Sequence, residues 1–144
     1  MLAGRNSKFS ELTFEKAILD SLAANIAVLD QSGEILAVNT SWQNFAAANR
    51  MHDTAMGIGT NYFDVCRAAG VDPSARAALK GIGEVMDGTR PTFYHEYPCH
   101  SPSVKRWFAL RVTPLVDYPH FVVVSHEDIT ERITSGGAQR PRQD

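Results

Sequence analysis

Three alternating stretches follow one another in the last third of the chain, and they limit the possible folds more than any other feature. Pro91 to Cys99 alternates Phe93, His95, Tyr97 and Cys99 against Tyr94 and Glu96. Lys105 to Leu115 alternates Phe108, Leu110 and Val112 against Trp107, Ala109, Arg111 and Thr113. The third, His120 to Asp128, reads HFVVVSHED. A period of two sends successive side chains to opposite faces of a strand. The connectors His100-Ser101-Pro102-Ser103 and Asp117-Tyr118-Pro119 are short and turn-rich. Strands joined by such turns pair as antiparallel neighbours, so something else must cover the apolar face they share.

The rest of the chain supplies that cover. Phe14, Ala17, Ile18, Ser21 and Leu22 fall at helical spacing, giving a short amphipathic helix. Asn25 to Asp30 and Glu34 to Val38 read as two strands around Gln31-Ser32-Gly33, a turn with glycine where positive φ is wanted. Asn39 precedes a helix whose face is Trp42, Phe45, Ala46 and Asn49, and it is suited to cap it. Met51 to Gly59 is loop-like, and Asn61 to Ala69 reads as one or two helical turns ended by Gly70. Asp72-Pro73 opens a longer helix, with Ala75, Ala78, Leu79, Ile82 and Met86 as its stripe and Gly88 as its stop. Gly81 and Gly83 weaken that helix by about 1 kcal/mol each relative to alanine. The order of helix, two strands, several helices and three strands predicts an α+β domain, an antiparallel sheet with its helices gathered on one side. Residues 14–132 form that domain in this reading, with a flexible segment at 1–13 and a disordered tail at 133–144.

Composition removes several functions. A net charge of -2 predicts neither direct nucleic-acid binding nor attraction to a membrane surface. No apolar run approaches the roughly 20 residues of a membrane span, and the first thirty residues lack a signal-peptide pattern. Cys66 and Cys99 are too few for a disulfide framework, which points to a reducing cytoplasm.

The ending Asp128-Ile129-Thr130-Glu131-Arg132 resembles the Asp-Ile-Thr exit motif of PAS domains. Ala27-Val28-Leu29-Asp30 with Ser32-Gly33, the Val38-Asn39 junction into a helix near Trp42, and Arg106-Trp107-Phe108 leading to Thr113-Pro114-Leu115 are similar to that family in the same order. The resemblance covers about residues 14 to 132. It implies a five-stranded antiparallel sheet of order 2-1-5-4-3, helices across one face and an N-terminal cap helix. It also implies a sensory role in bacterial signal transduction, as in sensor histidine kinases of two-component systems, diguanylate cyclases or transcriptional regulators. The exit motif would hand the last strand over to a signalling helix or linker. Asp128 suits hydrogen bonds from backbone amides, and Thr130 suits an N-cap, so the two residues form a candidate signal exit. The alternative is a plain stop signal for the strand. Ser135-Gly136-Gly137 breaks any helix soon after Arg132, which fits an excised sensor or a stand-alone domain.

The chain departs from the known cofactor chemistries of PAS domains. Of the photosensory flavin motif, only Cys66-Arg67 matches, and the last two strands lack Asn and Gln, so flavin of that type is not expected. Haem of the usual kind needs a histidine on the helix from Pro73 to Gly88, which has none. His95, Cys99 and His100 are a weak grouping for zinc, with three ligands at unusual spacing. His126 and Glu127 point to opposite strand faces and cannot form one acid-base pair, and Gly57-Ile58-Gly59 is no phosphate loop, so catalysis is not expected.

A small-molecule pocket between sheet and helices is what the resemblance implies. Its lining would come from Trp42 and Phe45, then Phe63 and Cys66, then Leu79 and Ile82 on the helices. Phe108, Leu110, Val124 and His126 would complete it from the strands, with His126 as the polar reader. These same patterns establish a core before they establish a cavity, so a fully packed interaction module stays open. A homodimer is the second expectation, through Phe14, Ile18 and Leu22 of the first helix and the outer sheet face at Trp107, with Val123 and Tyr94 nearby. Its alternative is a helix that caps its own sheet within a monomer.

Overall fold

The computed structural model describes residues 14–48, 57–99 and 102–135. Asn49 of the expected helix face, the loop at 51–56, the His100-Ser101 turn and the segment 1–13 lie outside the described residues. Residues 14–21 are helical (α1). They are followed by β1 (Asn25–Leu29), β2 (Ile35–Val38), α2 (Thr40–Ala48), α3 (Tyr62–Ala68) and α4 (Pro73–Met86). β3 (Phe93–Pro98), β4 (Trp107–Pro114), β5 (Val122–Asp128) and α5 (Thr130–Ser135) close the chain. The first residues of the expected tail, 133–135, instead complete α5, and 136–144 lie outside the described residues.

The strands form one five-stranded sheet of order β2-β1-β5-β4-β3, paired antiparallel throughout, as the alternation and the hairpin turns require. One register row runs His95, Leu110, His126, Asn25 across the sheet, and the row two residues on, on the same face, carries Tyr97, Phe108 and Asp128. α4 packs on β3, β4 and β5, α2 packs on β1, and α3 lies against α4. The core between them holds Leu29, Ile35, Trp42, Ile82, Val112, Val122 and Val124, all fully buried.

Local chemistry sets the joints. Asn39 is buried, and its Oδ1 accepts from the amides of Ile26 and Trp42, each at 2.9 Å. Its Nδ2 donates to the carbonyls of Leu19 and Ala24, also at 2.9 Å each, so one amide ties α1, β1 and α2 together. Asn61 caps α3 by accepting from the Asp64 amide, and Asp72 caps α4 with Pro73 behind it. Gly81 is more than a weak helix former. A Cβ there would come within 2.5 Å of the Phe93 ring, so the glycine lets α4 sit close on β3. Outside β2, Ile35 donates to the Thr60 carbonyl at 2.8 Å and Gly59 donates to the Ile35 carbonyl at 2.8 Å. Glu34 bridges Asn61, so that segment lies along the outer margin of the sheet.

Not every helix lies on the covered face. α5 folds back over the opposite side, where Ile129 and Ile133 pack with Tyr94 and Ala109, and half-buried Trp107 leans on them. Outward-pointing positions of β3 and β4 therefore carry a second, smaller apolar cluster.

Candidate functional site

His126 is the centre of the polar chemistry inside the fold. The β-register turns it inward beside Leu110, where it is only 6% exposed. The Trp42 ring lies 5.5 Å from its ring and Phe45 stacks on it at 5.8 Å. The Tyr62 phenol, from the first residue of α3, is 2.8 Å from its Nε2. The Tyr97 phenol, from β3, is 2.6 Å from its Nδ1. Burial pushes the imidazole pKa down to about 4, because no counter-charge compensates the lost hydration of a cation. Burial likewise holds both phenols above their ordinary range.

Beside this triad lies a cavity of about 220 Å³. Tyr62, Val65, Cys66 and Ala69 form its α3 wall, and Asp72, Ser74, Ala75 and Ala78 form its α4 wall. Tyr97, Pro98, Cys99, Leu110 and His126 close it from the sheet. Ala69, Asp72 and Pro98 are exposed, which puts the mouth between the α3–α4 junction and the end of β3. The small alanines on the two facing helices leave the room. Burial raises the Cys66 thiol to about 11, so this cysteine is a protonated apolar filler and not a nucleophile at neutral pH.

The structure brings together some of the sequence-selected residues and separates others. Cys66, Leu110 and His126 line the cavity. Trp42, Phe45 and Phe108 instead pack around the imidazole and each other, with Phe45 and Phe108 at 5.1 Å. Ile82 and Val124 are sealed in the main core, and Leu79 is half-buried against it. Phe63 is turned toward Gly33, whose Cβ would meet its ring at 2.6 Å. Tyr62, Tyr97 and the alanines were missed. A usable signal existed for the tyrosines, since inward-facing phenols need a polar partner and His126 is the inward polar group of β5.

At the far end of β5 the exit is bonded to the body. The Thr130 amide donates to Asp128 Oδ1 at 2.9 Å. The Trp107 amide donates to Thr130 Oγ1 at 2.8 Å, and the Ile129 amide donates to the Trp107 carbonyl at 2.8 Å. The cap expected of Thr130 is thus supplied by Asp128, while the Thr130 hydroxyl is committed to β4. On the outer face, Arg132 of α5 pairs with Glu96, and the Tyr94 phenol donates to the same carboxylate. Glu96 is 1% exposed and the Arg132 side chain 49%. Hydrogen bonds to Tyr94 and Glu96 hold the guanidinium above its usual range.

His95, stacked between Phe93 and Tyr97, is buried, and its Nε2 has no hydrogen-bond partner among the described residues. Its zinc grouping includes His100, which lies outside the described residues, and among the described residues no three His, Cys, Asp or Glu side chains gather as for a metal. Phe14, Ile18 and Leu22 are 66%, 47% and 43% exposed, so within one chain this stripe is left largely open to solvent.

The model of the PAS fold family matches residues 19–134, and the chain belongs to that family. PAS domains are regulatory modules of signalling proteins and commonly bind ligands. A curated relative in Rhodobacter capsulatus, an uncharacterized 104.1 kDa protein in the hypE 3' region, is 42% identical over 119 residues. That match covers 80% of this chain and 12% of the relative, so the chain spans a small part of that protein's length. Among solved structures, the PAS domain of Bordetella pertussis BvgS matches with a TM-score of 0.60 at 18% identity, covering 90% of each chain. The PAS domain of the Cronobacter turicensis quorum-sensing receptor RpfR, solved in complex with C12:0, matches with a TM-score of 0.50 at 20% identity. It covers 76% of this chain and 97% of that one. Both likenesses concern the fold. Among the described residues no helix is long and apolar enough to cross a membrane.

Proposed function

We propose that this chain is a non-catalytic sensor domain of a cytoplasmic signalling protein. A small molecule enters the cavity beside His126, and the resulting shift leaves through Asp128 and Thr130 to an effector, in a homodimer. The effector class is a histidine kinase of a two-component system, a diguanylate cyclase or a transcriptional regulator. The observation that carries this reading is the placement of His126 on the cavity wall two residues before Asp128, on the strand that runs into α5. A ligand that favours one packing of α3 and α4 on the sheet shifts the population of that packing, and β5 conveys the difference. The RpfR domain with C12:0 lends the reading a precedent within the fold.

A thermal-shift screen over organic acids, alcohols, aromatics and tetrapyrroles tests it. A true ligand at a hundredfold excess over its Kd stabilises the fold by about 2.7 kcal/mol, a rise of several degrees in Tm. Silence across the whole panel would count against a sensing pocket. A second reading, an interaction module that works without ligand, is favoured by the exposed apolar face of Phe14, Ile18 and Leu22. In that case dimerisation would persist while no compound moved the Tm.

A further inference from the structure

The Tyr62–His126–Tyr97 arrangement has a proton count that determines what the cavity offers. The buried imidazole is neutral, and a neutral imidazole carries one N–H and one lone pair. It therefore donates to one phenol and accepts from the other. The phenol that donates to the ring has used its only proton. The phenol that accepts from the ring still has its O–H to place, and neither tyrosine has a second hydrogen-bond partner among the described residues. Both phenols belong to the cavity wall. In either tautomer, one phenolic proton is available to an occupant.

The remaining wall narrows the occupant. Among the described residues it has no Lys or Arg, and its carboxylate is Asp72 at the mouth. A buried anion would meet no cationic side chain among the described lining residues, Arg67 and Arg106 acting only from behind Cys66 and Cys99, and it would lose its hydration. Most of the lining is apolar, from Val65, Ala75, Ala78 and Leu110. A cavity of about 150 Å³ holds benzene, so the 220 Å³ here suits one ring with a short substituent, or a chain of similar bulk.

We infer that the cavity recognises a small uncharged molecule with an apolar body and one carbonyl oxygen, held by whichever of Tyr62 and Tyr97 does not donate to His126. The inference rests on the cavity being the ligand site of the proposed sensor. It adds the ligand's chemistry, and it couples occupancy to the imidazole: a carbonyl on Tyr62 fixes the proton on Nε2, and one on Tyr97 fixes it on Nδ1.

Acetophenone, ethylbenzene and benzoate separate the options, being one-ring probes of similar size. Titration calorimetry should give acetophenone a Kd about tenfold below that of ethylbenzene, the worth of one hydrogen bond, with benzoate weakest. In protein labelled with ¹⁵N-histidine, saturating acetophenone should drive the His126 ring nitrogens to a single tautomer pattern, and ethylbenzene should not. One of the conservative variants Tyr62→Phe and Tyr97→Phe should erase the preference for acetophenone over ethylbenzene. Equal affinity for acetophenone and ethylbenzene, preference for benzoate, or a preference untouched by both variants would overturn the carbonyl assignment while the cavity remained a ligand site. If no probe binds but the broader panel yields a ligand, the carbonyl assignment alone fails. If both are silent, the sensor-pocket reading fails with it. The tautomer measurement on unaltered protein keeps the test decisive even where a variant folds poorly.

Discussion

His126 links stability to acidity. Its folded pKa is near 4 against an ordinary 6.5, so between those values the unfolded chain binds a proton that the folded chain refuses. Stability is thus fully present above about pH 6.5 and declines as pH falls toward 4, by on the order of 3 kcal/mol over the whole span. His95, lowered by its own burial, adds in the same direction. Urea unfolding at a series of pH values should show this slope, and His126→Gln, which keeps a donor and an acceptor for the two phenols, should flatten it. A slope equal in both proteins would assign the acid sensitivity to carboxylates instead. At this scale the inward histidine was legible from alternation alone. Its partners were signalled only as inward phenols in need of a polar group, because Tyr62 opens a helix and Tyr97 lies next to the last residue of a strand, and only the fold brings them to one ring.

Among the elements, α5 most exceeds what its sequence discloses. The Asp-Ile-Thr signature marked where the strand ends, and the hairpins, caps and the long α4 were readable from turn residues and periodicity. That α5 turns back over the outer face was not readable, since Tyr94, Glu96 and Ala109 look like ordinary solvent-facing strand positions until Ile129 and Ile133 cover them. Removing Arg132 would leave the buried Glu96 carboxylate without its guanidinium. The ion pair is half in solvent on the arginine side, so Arg132→Ala should cost about 1–2 kcal/mol, less than a fully buried pair. Hydrogen exchange should localise the loss: amides of α5 quicken by roughly tenfold or more, while those of β1 and β5 keep their protection. Uniform acceleration throughout the sheet would mean that the pair supports global stability and does not fasten α5 in particular.

For the whole molecule, order and layering followed from the sequence, whereas the position of the cavity did not. Periodicity specifies which residues face inward, but a void arises from the difference between side-chain volumes on facing elements, here Ala69, Ala75 and Ala78 across from Tyr97 and Leu110. The exposed stripe of Phe14, Ile18 and Leu22 makes α1 a candidate contact between two chains. Sedimentation of the protein and of Phe14→Glu tests this: the variant should run as a monomer at concentrations where the parent is dimeric, with far-UV circular dichroism unchanged. A dimer that survives the substitution would move the contact to another surface.

The segment bonded to β2, and the proline that ends β3, bear on how copies of this chain meet edge to edge. With Gly59 and Thr60 already bonded to Ile35 at one rim and Pro98 withholding an amide at the end of the other, a neighbouring strand loses pairing partners at both places. Fibre growth by strand templating is hindered at those points.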